Sequence, residues 1–260
     1  MPSNMAQTKR EAVLDSEVVD AGPPVNPGRL REWGRNASQR QEDNGSVASS
    51  EFGPFAAAVP GYLELLNLDP NSNGAQIVID QIRDALAVSD AQRWVSALLT
   101  DPGWRLHLVA AVAFLLDQPK ALDCAPLWSA IDAGSWVTPQ LVVTALFSDP
   151  AFPTRARDRV EGLCPVTSPS TLTPIVRHVL TGPGEAHDRS AKMLASILSV
   201  CSVVPSLAAR EASWRAKTEI QALLDADAFR DRSQLITSHW MSATSAAFLK
   251  RGIVLTPASV

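Results

Sequence analysis

This chain is poor in the side chains that most often carry chemistry. Its 260 residues include only three cysteines, four histidines and a single tyrosine. The cysteines, at positions 124, 164 and 201, are odd in number and widely spaced. This pattern excludes a regular disulfide framework and a paired-cysteine metal site. We therefore interpret the three cysteines as small buried hydrophobic residues and predict no metal ion and no cofactor.

Motifs of the common enzyme classes are also missing. The sequence has no glycine-rich phosphate loop, no Gly-x-Ser-x-Gly elbow, no His-Glu-x-x-His pair and no dinucleotide fingerprint. His187-Asp188 follows Gly182-Pro183-Gly184 and is the pair best placed for acid-base chemistry, although acidic residues at a helix start also favour the helix dipole. His107 and His239 lie among apolar residues, which is typical of partly buried helix positions. We predict no enzyme activity and no catalytic residues.

Long hydrophobic segments are absent. The longest apolar run, Leu106 to Leu116, contains His107 and is shorter than the ~20 residues needed to cross a bilayer. The first thirty residues mix charged and polar side chains and lack an apolar stretch of signal-peptide length. We therefore expect no membrane insertion and a cytoplasmic location, with secretion by a route that needs no signal peptide as the alternative.

The N-terminal segment differs in composition from the rest of the chain. Residues 1–54 are rich in charged, polar, Pro and Gly residues and offer little to bury, which predicts a disordered tail. Trp33, within Arg-Leu-Arg-Glu-Trp, is the exception and a candidate anchor for a partner. Residues 55–252 are predicted to form a helical domain, and residues 253–260 a C-terminal tail.

A repeated pattern connects two stretches in the middle of the chain. Asp90 to Trp104 and Thr138 to Phe152 align without a gap, and six of their fifteen positions are identical. Each copy has an apolar helical stripe, then Asp-Pro, which ends the helix, then an aromatic residue that starts the next one. Weaker junctions of the same kind occur near residues 69, 182 and 227, so the spacing averages about 40 residues, as in two-helix repeats.

The apolar periodicity of residues 55–252 is helical and gives little support for strands. The predicted class is all-α, with an irregular repeat of helical hairpins and about ten helices. The predicted helices are Ala75 to Val88, Ala91 to Leu99, Trp104 to Leu116, Ala125 to Asp132, Pro139 to Phe147, Pro153 to Gly162, Ser170 to Leu180, Glu185 to Val204, Ser206 to Asp225 and Phe229 to Arg251. The pattern resembles HEAT-like and armadillo-like α-solenoids over about residues 60–250, a resemblance that concerns architecture.

Charge is unevenly distributed along the chain. Residues 51–150 carry four basic and eleven acidic groups, whereas residues 151–260 carry thirteen basic and nine acidic groups. Arg155 and Arg159 are candidate partner-binding residues in the basic part. They alternate with acidic residues, as on many solvated helix faces. The acidic middle argues against nucleic acid as the partner.

Trp128 and Trp136 flank the turn at Asp132-Ala133-Gly134, so at least one of the two rings is expected to be exposed. Exposed aromatic residues often anchor a bound protein. The candidate partner-binding residues are therefore Trp33, Trp128, Trp136, Arg155 and Arg159. The sequence favours a non-enzymatic protein-protein interaction module. Two alternatives stay open: a secreted bacterial effector with an unstructured export segment, and a HEAT-like nucleic-acid-binding protein, as in the DNA alkylation repair family.

Overall fold

A computed structural model describes residues 52–117, 121–162, 185–204 and 229–257, without the side chains of 161–162, 185–191 and 229–232. These ranges contain nine α-helices, two short 3-10 turns at Gly53–Phe55 and Val59–Gly61, and no strand. The helices are α1 (Tyr62–Asn67), α2 (Asn73–Leu86), α3 (Ala91–Thr100), α4 (Trp104–Leu116), α5 (Ala125–Asp132), α6 (Thr138–Ser148), α7 (Phe152–Gly162), α8 (Glu185–Val203) and α9 (Phe229–Leu249).

The predicted all-α class is confirmed. Helices α3 to α9 begin and end within two residues of the predicted positions. Helix α1 is not among the predicted helices; it is short, and its apolar residues do not repeat often enough to show a period. The two predicted helices at 170–180 and 206–225, and the predicted tail before residue 52, lie outside the described residues.

Two helices form the centre of the molecule. In α4 every residue from Leu106 to Leu115 is buried, and in α6 all eleven residues are buried. A helix without a polar face must be covered on all sides. Helix α4 packs against α1, α2, α3 and α6, while α6 packs against α4, α5, α8 and α9. The contact between α4 and α6 therefore joins the first half of the described chain to the second.

Local signals fix the first helices. The Ser72 hydroxyl accepts a hydrogen bond from Ala75 N–H at 3.3 Å and donates to the Glu64 carboxylate at 2.6 Å. This cap starts α2 two residues before the predicted position. Gly61 precedes α1 where a Cβ would lie 2.2 Å from a methyl group of Val78, so only glycine allows α1 and α2 to approach this closely.

The last described helix returns to the first ones. Trp240 Nε1 donates to the Leu65 carbonyl at 3.1 Å, and Lys250 Nζ donates to the Pro70 carbonyl at 2.9 Å. Arg251 bonds the Gln76 carbonyl and both carboxylate oxygens of Asp80, and this bonding lowers the Asp80 pKa. In an extended solenoid each repeat contacts only its neighbours. Here α9 also closes onto α1 and α2.

The chain leaves α9 through a glycine. Gly252 follows the helix with φ +73°, the left-handed conformation that glycine adopts most readily. The side chain of Lys250 reaches the loop between α1 and α2, and that of Arg251 reaches α2. Among the helices of the described ranges, none is both long and apolar enough to span a membrane.

Candidate functional site

The repeated Asp-Pro junctions adopt the same local structure. Asp101 Oδ1 accepts a hydrogen bond from Gly103 N–H at 2.7 Å, and Asp149 Oδ1 accepts one from Ala151 N–H at 2.9 Å. In each case the aspartate closes a turn on the backbone two residues ahead. The earlier junction does the same, since Asp69 Oδ1 accepts from Asn71 N–H at 2.8 Å. The repeat is therefore structural at three positions; those near 182 and 227 lie outside the described residues.

The aromatic residue after each junction is a buried wedge. Trp104 is 6% exposed and Phe152 is fully buried. Each of them packs against one of the two tryptophans that flank the turn after α5. The Trp104 ring lies 4.8 Å from that of Trp136, and the Phe152 ring lies 5.8 Å from that of Trp128. The two junctions thus position the two candidate tryptophans.

The second junction assembles three of the five candidate residues. The Asp149 carboxylate is 3% exposed, accepts a hydrogen bond from Trp128 Nε1 at 2.6 Å and lies 3.5 Å from Arg155 Nε. Arg159 lies over the Trp128 ring, with its guanidinium carbon 4.1 Å from the ring centroid. Arg159 also forms two hydrogen bonds with Asp132, at 2.7 and 2.6 Å. We call these residues the Trp128 cluster.

Charge in the Trp128 cluster is balanced. Arg155 pairs with Asp149 and Arg159 pairs with Asp132, so each arginine already has a carboxylate partner. Trp128 is 2% exposed and lies beneath Arg159. The cluster is therefore a preorganised surface in which Asp132 and Arg155 are the most exposed side chains and Trp128 lies buried beneath Arg159.

The first junction carries a more open arrangement. Tyr62, Arg105 and Trp136 are each half-buried, and we call them the Trp136 surface. The Arg105 guanidinium carbon lies 4.9 Å from the centre of the Tyr62 ring and 5.6 Å from that of Trp104. Tyr62 and Trp104 meet edge to face at 5.3 Å. The Nε atom of Arg105 is buried and has no hydrogen-bond partner among the described residues.

Tyr62 and Arg105 were not among the candidate residues predicted from the sequence. Arg105 reads there as a polar interruption of α4, and Tyr62 lies in the helix that the periodicity did not predict. The only signal in the sequence was that Arg105 directly follows Trp104. This gives no indication that the Tyr62 ring of α1 lies against the Arg105 guanidinium. Trp33, the fifth candidate residue, lies outside the described part of the chain.

His107 is buried and ties three segments together. Its Nδ1 lies 2.7 Å from Ser135 Oγ and its Nε2 lies 2.8 Å from the Asp101 carbonyl oxygen. Because a carbonyl can only accept, Nε2 carries the proton and Nδ1 accepts from the serine hydroxyl. Burial lowers the pKa of His107 and keeps the ring neutral. Ser135 is 9% exposed, so this buried serine-histidine pair serves as a hydrogen-bonded link between α4, the first junction and the turn before α6.

Other reactive side chains are buried or dispersed. Cys124 and Cys201 are buried, and burial raises the pKa of the Cys124 thiol to about 12. A thiol with that pKa is a poor nucleophile and a poor metal ligand at neutral pH. Within the described ranges, no group of three or more His, Cys, Asp or Glu residues is placed to hold a metal ion. The side chains of His187 and Asp188 lie outside the described part.

The chain was compared with protein-family models, curated proteins and solved structures. None of these comparisons gives a match.

Proposed function

We propose that this chain is a non-enzymatic protein-protein interaction module that binds its partner through the Trp136 surface. The proposal is supported by the geometry around Trp104: the half-buried rings of Tyr62 and Trp136 both contact Trp104. Arg105, which forms no ion pair within the described part of the chain, lies against Tyr62 and Trp104. In this proposal the helical array is a scaffold of the HEAT-like or armadillo-like kind, and its location is the cytoplasm.

Residue type and rigidity both support the proposal. Tryptophan, tyrosine and arginine are the residues that contribute most to binding at protein interfaces. At the Trp136 surface the rings of Trp136 and Tyr62 are held against Trp104 at 4.8 and 5.3 Å, so few rotamers of these two side chains remain to be ordered on binding. The arginine favours a carboxylate on the partner, because planar guanidinium groups pair with carboxylates through two hydrogen bonds.

The Trp128 cluster contributes less in this proposal. Arg155 and Arg159 already share their charge with Asp149 and Asp132, so a partner must compete with existing ion pairs to use them. The same pairing supports keeping the nucleic-acid alternative in second place, because phosphate binding depends on basic groups that are free to replace counterions. The effector alternative concerns residues 1–54, and deleting them is the experiment that addresses it.

The test compares two charge reversals. Arg105→Glu changes the half-buried arginine of the Trp136 surface, whereas Arg93→Glu changes an exposed arginine that lies over a different tryptophan ring, Trp94, at 5.8 Å. Wild-type protein and both variants are used for affinity purification with quantitative mass spectrometry, with and without nuclease. We expect one stoichiometric protein partner with wild type and Arg93→Glu, and a loss of about thirtyfold in affinity with Arg105→Glu, the scale of an interface hot spot.

Thermal unfolding followed by circular dichroism checks that both variants remain folded. Equal recovery of the partner by Arg105→Glu and wild type would contradict the role of the Trp136 surface. Co-purification that disappears on nuclease treatment would contradict the proposed function itself and favour the nucleic-acid alternative.

A further inference from the structure

A cleft of about 400 Å³ lies between helices α2, α3 and α4. It is formed by the end of α2, the start of α3, the end of α4 and the segment that leads to α5. Its volume is within the range of small-ligand sites, about 300–1,000 Å³. The residues that line it are Arg83, Leu86, Ala87, Ser89, Ala91, Gln92, Leu116, Asp117, Ala121 and Leu122. None of them belongs to the Trp136 surface or the Trp128 cluster.

Most polar groups of the cleft are already engaged. Gln92 accepts a hydrogen bond from Asp123 N–H at 2.8 Å and donates to Ser96 at 3.1 Å, which uses both ends of its amide. Arg83 donates to Asp80 at 3.1 Å, one turn back on α2. Asp117 uses Oδ2 to accept from Leu122 N–H at 2.6 Å, while its Oδ1 has no partner among the described residues. An open carboxylate oxygen therefore lies beside an apolar wall.

The local charge favours a cation. Helices α2 and α4 both direct their C-terminal ends to the cleft, where the last carbonyl groups carry partial negative charge. Helix α3 contributes an N-terminal end of the opposite sign, which is offset by Asp90 immediately before it. Arg83 pairs with Asp80, a carboxylate that Arg251 also binds, so Arg83 keeps part of its positive charge at the cleft. Asp117 forms no ion pair in the described ranges, and together with the C-terminal ends of α2 and α4 it gives the cleft its negative side.

We propose that the cleft binds an ammonium or guanidinium group on a short alkyl stem, as in a lysine or arginine side chain. Asp117 Oδ1 accepts the hydrogen bond from the cation, and the stem lies along Leu86, Leu116 and Leu122. An amphipathic side chain of this kind buries its methylene groups while its charged end stays paired. This site is independent of the proposed function and does not require the Trp136 surface.

The test uses the full chain and four small probes, with binding followed by NMR chemical-shift changes. Nα-acetyl-lysine methylamide carries the cation, the norleucine analogue lacks the charge, the glutamate analogue reverses it, and a short neutral peptide contains one lysine. We expect the norleucine analogue to bind about tenfold more weakly than the lysine probe, and the glutamate analogue not to bind, as loss of one charged hydrogen bond implies.

Two variants locate the cation. Asp117→Asn keeps an acceptor for Leu122 N–H but removes the charge, so lysine-probe affinity falls about tenfold. Asp84→Asn, on an exposed residue of α2 that does not line the cleft, leaves affinity unchanged. Leu86→Lys places an ammonium group in the cleft itself and abolishes binding, which provides a second test if Asp117→Asn unfolds.

Equal binding of the norleucine and lysine probes would overturn the proposal, as would tighter binding of the glutamate analogue or an equal loss with Asp84→Asn. If the peptide binds at least tenfold more tightly than the capped lysine probe, neighbouring residues of a polypeptide take part in recognition. Equal affinity of peptide and probe supports recognition of the lysine side chain alone.

Discussion

The two best-matched Asp-Pro junctions share one turn but lie in different surroundings. Asp101 and Asp149 both end a helix and close the turn two residues ahead. Asp101 is half-buried, and its carbonyl oxygen accepts from neutral His107. Asp149 is 3% exposed, accepts from Trp128 and pairs with Arg155. His107 and Arg155 occupy equivalent positions in the repeat, six residues after the aspartate.

The turn at each junction and the surroundings of that turn have different causes. The turn depends on residues next to one another in sequence, so both copies form it. The burial and the hydrogen bonds of the junction depend on residues from other parts of the chain, namely Ser135 at the first junction and Trp128 at the second. Copies of one local motif therefore acquire different surroundings. The first junction is half-buried and bonded to a neutral histidine, whereas the second is buried and bonded to an arginine and a tryptophan.

Removal of the aspartate should have the largest effect and should differ between the copies. We expect Asp149→Ala to lower the free energy of unfolding by about 1–3 kcal/mol, because it leaves the buried Trp128 N–H without a partner. Asp101→Ala should cost about 0.5–1.5 kcal/mol, the value of one ordinary hydrogen bond. Urea denaturation followed by circular dichroism measures both. Equal losses would show that burial does not distinguish the junctions.

We expect His107 of the first junction to make the stability of the protein depend on pH. Burial holds the pKa of His107 below its ordinary 6.5 in the folded state, so the unfolded chain binds a proton first as pH falls. The free energy of unfolding is therefore unaffected by this group above pH 6.5 and decreases as pH falls below 6.5. The decrease is up to about 1.4 kcal/mol per pH unit and stops at the lowered pKa of His107 in the folded state. The carboxylate of Asp101 opposes this shift only in part.

Urea denaturation of wild type and His107→Gln between pH 5 and 7.5 measures this contribution as a difference. Acidic groups such as Asp80 contribute equally to both proteins, so the difference between them cancels that contribution. The pKa of Asp80 is lowered by Arg251, and its contribution to stability is lost at lower pH. A difference between the two proteins that does not change with pH would contradict the buried neutral histidine.

The ion pair over Trp128 should have the smallest effect. Arg159 is 19% exposed and Asp132 47% exposed, so water screens their interaction. We expect Arg159→Ala to cost about 0.5–1 kcal/mol, from the ion pair and the contact with the Trp128 ring. A double-mutant cycle with Asp132→Ala, measured at low and high salt, separates the two contributions. A coupling energy that is unchanged by salt would contradict a screened ion pair.

Helix positions were predictable because their causes are local. Asp-Pro ends a helix wherever it occurs, since proline cannot continue it, and an apolar run such as that of α4 identifies a central helix. The repeat also identified Trp104 and Phe152 as the aromatic residues that start the next helix, and the structure shows that both are buried. The candidate surfaces were less predictable: Trp128 and Trp136 look alike in sequence, yet one is buried and the other half-exposed.

The sequence by itself determined the helical class, the ends of most helices and the equivalent turns at the Asp-Pro junctions, because capping, proline and periodicity act over a few residues. Only the tertiary structure decided which residues meet. It brings Tyr62 over Arg105, Ser135 to His107, Trp128 to Asp149, and Arg251 to Asp80 across the length of the domain. These contacts join residues far apart in the chain, and packing around two fully buried helices determines them.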